Sequence, residues 1–187
     1  IRGGAQYRES SFLLNCIGEQ IFPEFIQIAE RPLLKRGLHS APFDREGVAT
    51  RDSAIVADGV AQRFILDSYS ARRLNMQTTA NAGGARNVSV STSNEDLAAL
   101  CRNMDRGLLV TDMMGHGTNM VTGDYSRGAA GFWVENGEIA YPVNECTIAG
   151  NLRDMLMTLQ AANDARGWMS RVVPSLLVEG LTIAGDA

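Results

Sequence analysis

Cysteine and histidine are scarce in this sequence of 187 residues, which has three cysteines and two histidines. Cys16, Cys101 and Cys146 lie far apart and form no Cys-x-x-Cys pair, so the sequence predicts neither a disulfide framework nor a structural zinc site. A sparse, odd-numbered set of thiols is typical of a reducing compartment. We therefore expect a cytoplasmic protein.

Long apolar runs and an excess of basic residues are also lacking. No run approaches the roughly 20 residues that span a bilayer, and the start of the chain does not resemble a signal peptide, so we expect no membrane association. The net charge of -4 and the isoelectric point near 5.2 disfavour a nucleic-acid partner. The chain begins at Ile1 without an initiator methionine, and we expect it to be part of a longer protein.

Each histidine stands without the neighbours that a catalytic or metal site requires. His39 lies in a long irregular connection over residues 37–47, where no nearby carboxylate or cysteine arrangement supports acid–base catalysis. His116 lies between two glycines without a second His or Glu at helical spacing, which disfavours metal binding. The glycine-rich segment 78–86 could cradle an anion but lacks the phosphate-loop lysine, and we interpret it as a flexible loop.

The segment 123–143 combines a strong hairpin signal with a run of small residues. Residues 132–134 are typical of a strand, and Asn136-Gly137 predicts a two-residue type I′ turn before a returning strand. Residues 128–131 are too small to fill a sheet face, so another backbone could approach closely there. Two interpretations stay open: an extended peptide docks by strand addition, or the sheet crosses tightly with no ligand.

The remaining segments predict short helices and strands joined mainly by hairpins. Apolar spacing and capping signals predict helices over residues 10–22, 69–74 and 152–159. A further helix is predicted to begin at a capping box at Ser93 and to end at Gly107. Strands are predicted at residues 25–29, on both sides of Asp58-Gly59 as far as residue 66, and at 87–92, 108–111 and 175–184. Trp168 is predicted to anchor the polar break 163–170. The fold class is therefore α+β, a largely antiparallel sheet with a few flanking helices.

No complete catalytic constellation is present in the sequence. It has no His-Glu-x-x-His-type helix, no nucleophile elbow and no pair of histidines near an acid. Asp112, Asp124 and Arg127 lie near the small residues, where they could bind peptide termini or form a structural ion pair. We therefore name no catalytic residue and no metal ligand in this chain.

Five motifs resemble, in the same order, the C-terminal domain of the TldD/PmbA family. They are Ala41-Pro42-Phe43-Asp44 with Glu46-Gly47-Val48, Ser68-Tyr69-Ser70-Ala71-Arg72-Arg73-Leu74, the stretch from Gly123 to Ile139, Thr147-Ile148-Ala149-Gly150-Asn151-Leu152, and Thr182-Ile183-Ala184-Gly185. Because they span nearly the whole chain, residues 1–187 are identified as a C-terminal domain of that family and a fragment of a longer protein.

The resemblance implies a cytoplasmic two-subunit metallopeptidase that cleaves unfolded peptides, in peptide maturation and antitoxin degradation. TldD-type subunits carry a His-Glu-x-x-x-His zinc motif with a cysteine as a further ligand, whereas PmbA-type (TldE) subunits lack the zinc ligands. That cysteine is expected between Ala165 and Ser175, where this sequence has Arg166 to Arg171 and no cysteine. The comparison implies a PmbA-type subunit with no cofactor of its own, and zinc in a TldD-type partner.

The resemblance also implies the partners: a TldD-type subunit, an extended or unfolded peptide, and a second copy of the chain when it is crystallised alone. The residues that we predict to contact the peptide are Gly123, Asp124, Tyr125, Arg127, Gly128 and Gly131. One alternative is a non-proteolytic regulatory protein that acts on DNA gyrase or on a toxin–antitoxin pair. Another is an active metallopeptidase subunit, whose histidine motif would lie upstream of Ile1.

Overall fold

The computed structural model describes residues 1–185, which form short helices and three sheets. Within this range the helices are α1 (Gly3–Tyr7), α2 (Ser68–Arg73), α3 (Leu97–Met104) and α4 (Leu152–Met157). The strands are β1 (Ile28–Glu30), β2 (Ser53–Ala57), β3 (Val60–Ala61), β4 (Val88–Val90), β5 (Gly107–Met114), β6 (Asp124–Glu135), β7 (Glu138–Asn151), β8 (Gln160–Ala161), β9 (Arg171–Val172), β10 (Leu176–Leu177) and β11 (Thr182–Ala184). The strands pair antiparallel except for β4 with β9, which confirms the predicted fold class.

The chain divides into two compact units. The first unit comprises Ile1–Ser91 and Ala165–Pro174 and holds a five-stranded sheet in the order β3-β2-β1-β4-β9. The second unit comprises Thr92–Asp164 and Ser175–Ala187 and holds a four-stranded sheet, β11-β7-β6-β5, and the β10-β8 pair. None of the helices in residues 1–185 is long and apolar enough to span a bilayer. That the whole chain forms one domain stays a prediction.

The sheet of the first unit contains the hairpin predicted at Asp58-Gly59. These residues have φ values of 50° and 73°, the left-handed conformation that a type I′ turn requires, and they connect β2 to β3. β3 is only two residues long, so the strand predicted at residues 64–66 does not form. Phe64 and Leu66 are nevertheless buried, and burial rather than strand pairing accounts for that apolar run.

The helix predicted over residues 10–22 is wrong, because the segment folds as a series of turns. Asn15 and Gly18 have φ values of 54° and 85°, which a right-handed helix cannot contain. The buried Gln6 side chain holds the turns, since its Nε2 donates to the Leu13 carbonyl at 2.9 Å and its Oε1 accepts from Asn15 N at 3.2 Å. The apolar spacing therefore belongs to a packed loop.

Aspartate side chains begin two of the helices. α2 starts at Ser68, one residue before the predicted start, and the carboxylate of its N-cap residue, Asp67, accepts from Ser70 N at 2.7 Å. α3 starts after Asp96, whose carboxylate accepts from Ala99 N at 2.7 Å. The capping box predicted at Ser93 is therefore wrong, because the helix begins later than its sequence signal.

A long hairpin dominates the second unit. β6 and β7, of 12 and 14 residues, pair with each other, and Asn136 and Gly137 form the predicted turn with φ values of 52° and 76°. β5 pairs with the other edge of β6. β5 begins at Gly107, so the prediction that this glycine ends α3 is wrong, and the C-cap of the helix is Asp105.

β7 continues through residues 147–150, which pair with β6 on one side. On the other side residues 147–149 pair with β11, which confirms the end of the strand predicted at residues 175–184. α4 begins at Leu152, as predicted, but ends at Met157, ahead of β8, and none of its six residues is buried. The buried helical face predicted over residues 152–159 is therefore wrong. Trp168 is 69% exposed, so the prediction that it anchors the segment 163–170 is wrong.

Candidate functional site

An open cleft of about 590 Å³ lies in the second unit, beside the start of β6. We call it the hairpin cleft, and its lining residues are His116, Gly117, Thr118, Asn119, Met120, Asp124, Tyr125 and Ser126. It therefore includes two of the six residues predicted to contact a peptide, together with His116.

Backbone hydrogen bonds extend the β5–β6 pairing into the loop that forms this cleft. Ser126 N donates to the Gly117 carbonyl at 2.7 Å, and Asn119 N donates to the Asp124 carbonyl at 2.8 Å. The side-chain oxygen of Asn119 accepts from Val121 N at 3.0 Å, which closes the tip of the loop. The loop thus has a fixed backbone, and Asn119 is a cleft residue that the sequence analysis did not identify.

Both carboxylate oxygens of Asp124 accept hydrogen bonds that hold this loop. Its Oδ2 accepts from the Thr122 hydroxyl at 2.6 Å, and its Oδ1 accepts from Asn151 Nδ2 at 3.3 Å. Gly123 supports the same turn with φ of 85°, since its N donates to the Asn119 carbonyl and its own carbonyl accepts from Leu152 N. Both residues therefore have structural tasks at the edge of the cleft.

Arg127 does not pair with Asp124, because residues three apart on a strand lie on opposite faces of the sheet. Its Nη2 instead donates to the Met113 carbonyl at 3.4 Å, while its Nε is buried without a partner. The ion pair that the sequence suggested between Asp124 and Arg127 is therefore absent. The ion pair found among residues 1–185 joins Arg63 to Glu30.

The glycines of β6 are explained by the neighbouring strand. A Cβ at Gly131 would lie 2.0 Å from the Leu109 carbonyl oxygen of β5, whereas one at Gly128 would make ordinary contacts, 3.4 Å or longer, with Met114. The close approach of another backbone predicted here therefore occurs, and that backbone is β5. Because both edges of β6 are paired, a peptide cannot add to β6 itself.

Exposed apolar side chains adjoin the hairpin cleft. Met113, Met120 and Val121 are between 46% and 55% exposed, and the Tyr125 hydroxyl donates to the Met113 sulfur at 3.2 Å. Methionine side chains adapt their shape and are common at surfaces that bind varied partners. The cleft and its rim thus combine polar groups with a deformable apolar surface.

The donor set in residues 1–185 does not fit a zinc site. No group of three His, Cys, Asp or Glu side chains is placed there to hold a metal ion. All three cysteines are buried and none of them forms a disulfide within residues 1–185, and the thiol of Cys146 donates to the Ala129 carbonyl at 3.1 Å. His116 and Asp124 both line the hairpin cleft, but two donors do not complete the tetrahedral set that zinc requires.

Known proteins resemble this chain along its whole length. A family model described as the PmbA/TldA metallopeptidase C-terminal domain matches residues 1–185. The chain is 51% identical to a metalloprotease PmbA homolog of Haemophilus influenzae and 47% identical to the metalloprotease PmbA of Escherichia coli O157:H7. Each match covers 100% of this chain and 42% of the relative, so the chain spans less than half the length of these proteins.

Solved structures give the same result. The structure of a candidate modulator of DNA gyrase from Bacteroides thetaiotaomicron matches with a TM-score of 0.92 and 33% identity, over 98% of this chain and 42% of that one. The TldE of Thermococcus kodakarensis matches with a TM-score of 0.82 and 26% identity, over 98% and 45% of the two chains.

The two branches of the family differ in their similarity to this chain. The metalloprotease TldD homolog of Haemophilus influenzae is 22% identical over 177 residues, compared with 51% for the PmbA homolog of the same organism. That match covers 88% of this chain and 36% of the TldD homolog. The chain therefore belongs to the PmbA/TldD metallopeptidase family, whose C-terminal domain model it matches.

Proposed function

We propose that this chain is part of a PmbA/TldE-like subunit of a cytoplasmic two-component metallopeptidase, which cleaves unfolded peptides together with a TldD-type partner. The observation that carries the proposal is the difference in identity between the two homologs of Haemophilus influenzae, 51% for PmbA and 22% for TldD. In this proposal the partner supplies the zinc and the catalytic groups, and this chain helps to hold the peptide.

The chemistry of the metal donors supports this division of roles. The segment in which the resemblance expects a zinc-binding cysteine runs from Arg166 to Arg171 and has none. Cys146 lies elsewhere, and its buried thiol bonds to a backbone carbonyl. We therefore assign no step of the hydrolysis to a side chain of this chain.

The hairpin cleft is the surface that we propose for the peptide. Tyr125 offers an aromatic ring, and the exposed methionines at the rim suit apolar side chains of varied shape. Within the part of the chain that is described, the outer edge of β5 has no neighbouring strand, and its end at Met114 leads into the loop that forms the cleft. An extended peptide can pair with such an edge while its side chains enter the cleft.

A reconstitution experiment tests the proposal. The full-length protein is mixed with a TldD-type subunit, and the cleavage of an unstructured peptide is followed alongside co-purification of the two proteins. We expect cleavage by the pair and none by this protein alone. Undiminished cleavage by the TldD-type subunit alone would contradict the proposal.

A pair of tyrosine variants tests the location of the peptide. Tyr125→Ala removes an aromatic contact from the hairpin cleft, and we expect the KM of the pair for the peptide to rise about tenfold, as for the loss of one well-packed aromatic contact. Tyr141→Ala is the matched control, since Tyr141 is exposed on the same hairpin but does not line the cleft. Equal KM values for the two variants would place the peptide elsewhere.

A second candidate function comes from the name of a solved relative, a candidate modulator of DNA gyrase. In this alternative the protein is a non-proteolytic regulator that binds gyrase or a toxin–antitoxin pair. The net charge of -4 disfavours direct DNA binding. Salt-dependent DNA binding by the full-length protein in a filter-binding assay would favour this alternative.

A further inference from the structure

A second cleft, of about 320 Å³, lies in the first unit, and we call it the basic cleft. Its lining residues are Leu38, His39, Ser40, Arg45, Gly83, Ala85 and Arg86. Two arginines and a histidine are among them, and no acidic side chain is. The fold thus brings together His39 and the glycine-rich segment 78–86, which are far apart in the sequence.

A buried asparagine fixes the wall of the basic cleft that contains His39. Asn87 is 7% exposed, and its Oδ1 accepts from His39 N at 3.0 Å. Its Nδ2 donates to the Ser40 hydroxyl at 2.8 Å and to the Arg31 carbonyl at 3.0 Å. One side chain therefore satisfies three groups of this loop and sets the position of its backbone.

Two buried carboxylates fix the opposite wall. Asp44 Oδ2 accepts from Ala82 N at 3.0 Å, and Glu30 Oε1 accepts from Arg86 N at 2.7 Å. Asp44 and Glu30 are 3% and 2% exposed, and neither lines the basic cleft. The segment 78–86 is therefore an anchored loop, and the cleft has its shape before any ligand enters. Such preorganisation reduces the free-energy cost of binding.

The two arginines line the basic cleft, and the charge of Arg86 also lies near the buried Asp44 carboxylate. Neither Arg45 nor Arg86 forms an ion pair within residues 1–185, and Arg86 Nε is buried without a partner. Gly83 has φ of 97°, and a Cβ there would lie 2.9 Å from Arg45 Cδ and Nε. The absence of a side chain at Gly83 thus lets the stem of Arg45 lie against the loop.

We propose that the basic cleft binds a carboxylate, held by the guanidinium groups of Arg45 and Arg86. The planar fork of a guanidinium matches the two oxygens of a carboxylate and forms charge-assisted hydrogen bonds with them. Leu38 and Ala85 add apolar surface beside these charges, which suits a carboxylate on an aliphatic stem such as the end of a peptide. The proposal rests on the basic cleft alone, which shares no lining residue with the hairpin cleft.

Calorimetric titration of the full-length protein tests the proposal with three probes: N-acetyl-alanyl-alanine, its C-terminal amide, and inorganic phosphate. We expect the free acid to bind and the amide to bind at least about tenfold more weakly, because a hydrogen bond to a charged group is lost. Phosphate is expected to bind more weakly than the free acid. Equal binding of acid and amide, tighter binding of phosphate, or no binding of the acid at millimolar concentration would each overturn the proposal.

Variants assign the binding to the basic cleft. Arg45→Gln is expected to weaken binding of the free acid about tenfold, and Arg45→Lys, which keeps the charge without the fork, to weaken it less. Arg51→Gln is the control, because Arg51 is exposed in the same unit, lies outside the cleft and carries the same charge. Unchanged affinity in Arg45→Gln, or an equal loss in Arg51→Gln, would contradict the assignment.

Discussion

In the first unit buried polar side chains hold the loops around the basic cleft, whereas in the second unit the hairpin cleft is built on a paired strand, with Asn119 and Asp124 holding its loop by exposed side-chain hydrogen bonds. Glu30, Asp44 and Asn87 each accept hydrogen bonds from backbone N–H groups of loops that have little regular structure. In the hairpin, β6 pairs along most of its length with β5 and β7. Loops that depend on one side chain are sensitive to its loss, while a strand shares its hydrogen bonds among many residues.

The largest effect on stability is expected at Glu30, in the first unit. Its buried carboxylate pairs with Arg63 and also accepts from Asn81 Nδ2 and Arg86 N. Glu30→Gln removes the charge and leaves the Arg63 guanidinium without its partner, which is expected to lower the free energy of unfolding by about 3–5 kcal/mol. Urea denaturation measures this difference.

Glu138→Gln is the matched control for that experiment. Glu138 is exposed at the turn end of β7 and forms no ion pair within the described chain, so its change is expected to stay within about 0.5 kcal/mol. Similar losses in the two variants would show that the first unit does not depend on its buried carboxylate.

The second unit should be sensitive to close packing between strands. Gly131→Ala places a methyl group against the Leu109 carbonyl oxygen, and we expect a loss of about 2–3 kcal/mol in urea denaturation. Gly128→Ala, on the same strand, meets only ordinary contacts and is expected to change stability by about 0.5 kcal/mol or less. If both variants were equally stable, the proximity of β5 would not explain why position 131 is a glycine.

A smaller and pH-dependent effect is expected at Asp44. Burial raises the pKa of Asp44, but hydrogen bonds from the backbone N–H groups of Ala82, Val48 and Glu46, with the nearby Arg86 charge, outweigh burial and hold the pKa below its ordinary value. Because the folded-state pKa is the lower one, the stability from this carboxylate is present above the unfolded-state pKa of about 3.9 and is lost as the pH falls through the folded-state value.

Asp44→Asn is therefore expected to cost about 1–2 kcal/mol at pH 7, and the difference from the parent protein should shrink below about pH 4. Urea denaturation at several pH values measures it. Asp52→Asn serves as the control, since Asp52 is exposed and forms no hydrogen bond through its side chain in the described residues. A difference at Asp44 that stayed constant down to about pH 2.5 would contradict the explanation.

Features set by neighbouring residues could be predicted from the sequence, and those set by distant residues could not. The turns at Asp58-Gly59 and Asn136-Gly137 were predictable because the left-handed conformation selects those residue types. The helix predicted over residues 10–22 failed because the Gln6 side chain, from outside the segment, holds the turns. The basic cleft was not predictable either, since Asn87 positions His39 across 48 residues of sequence.

The same distinction applies to the candidate peptide site. The sequence correctly predicted a close backbone approach at the small residues, but only the strand order identifies β5 as the backbone that approaches. Of the six residues predicted to contact a peptide, Asp124 and Tyr125 line the hairpin cleft, and the peptide contact itself stays a prediction for all six. Thr118 and Ser126 also line the cleft, because Thr118 pairs with Tyr125 and Ser126 N donates to the Gly117 carbonyl. No local sequence pattern indicates this pairing.

The metal content of the two proposed subunits tests the central claim most directly. The full-length protein and a TldD-type subunit are purified separately, and zinc is measured in each by mass spectrometry. The account predicts about one zinc ion per TldD-type subunit and well under a tenth of an equivalent in this protein, because the segment from Arg166 to Arg171 lacks the cysteine that the family resemblance expects among the zinc ligands. One tightly held zinc ion per molecule of this protein would contradict the account and identify it as a metallopeptidase subunit in its own right.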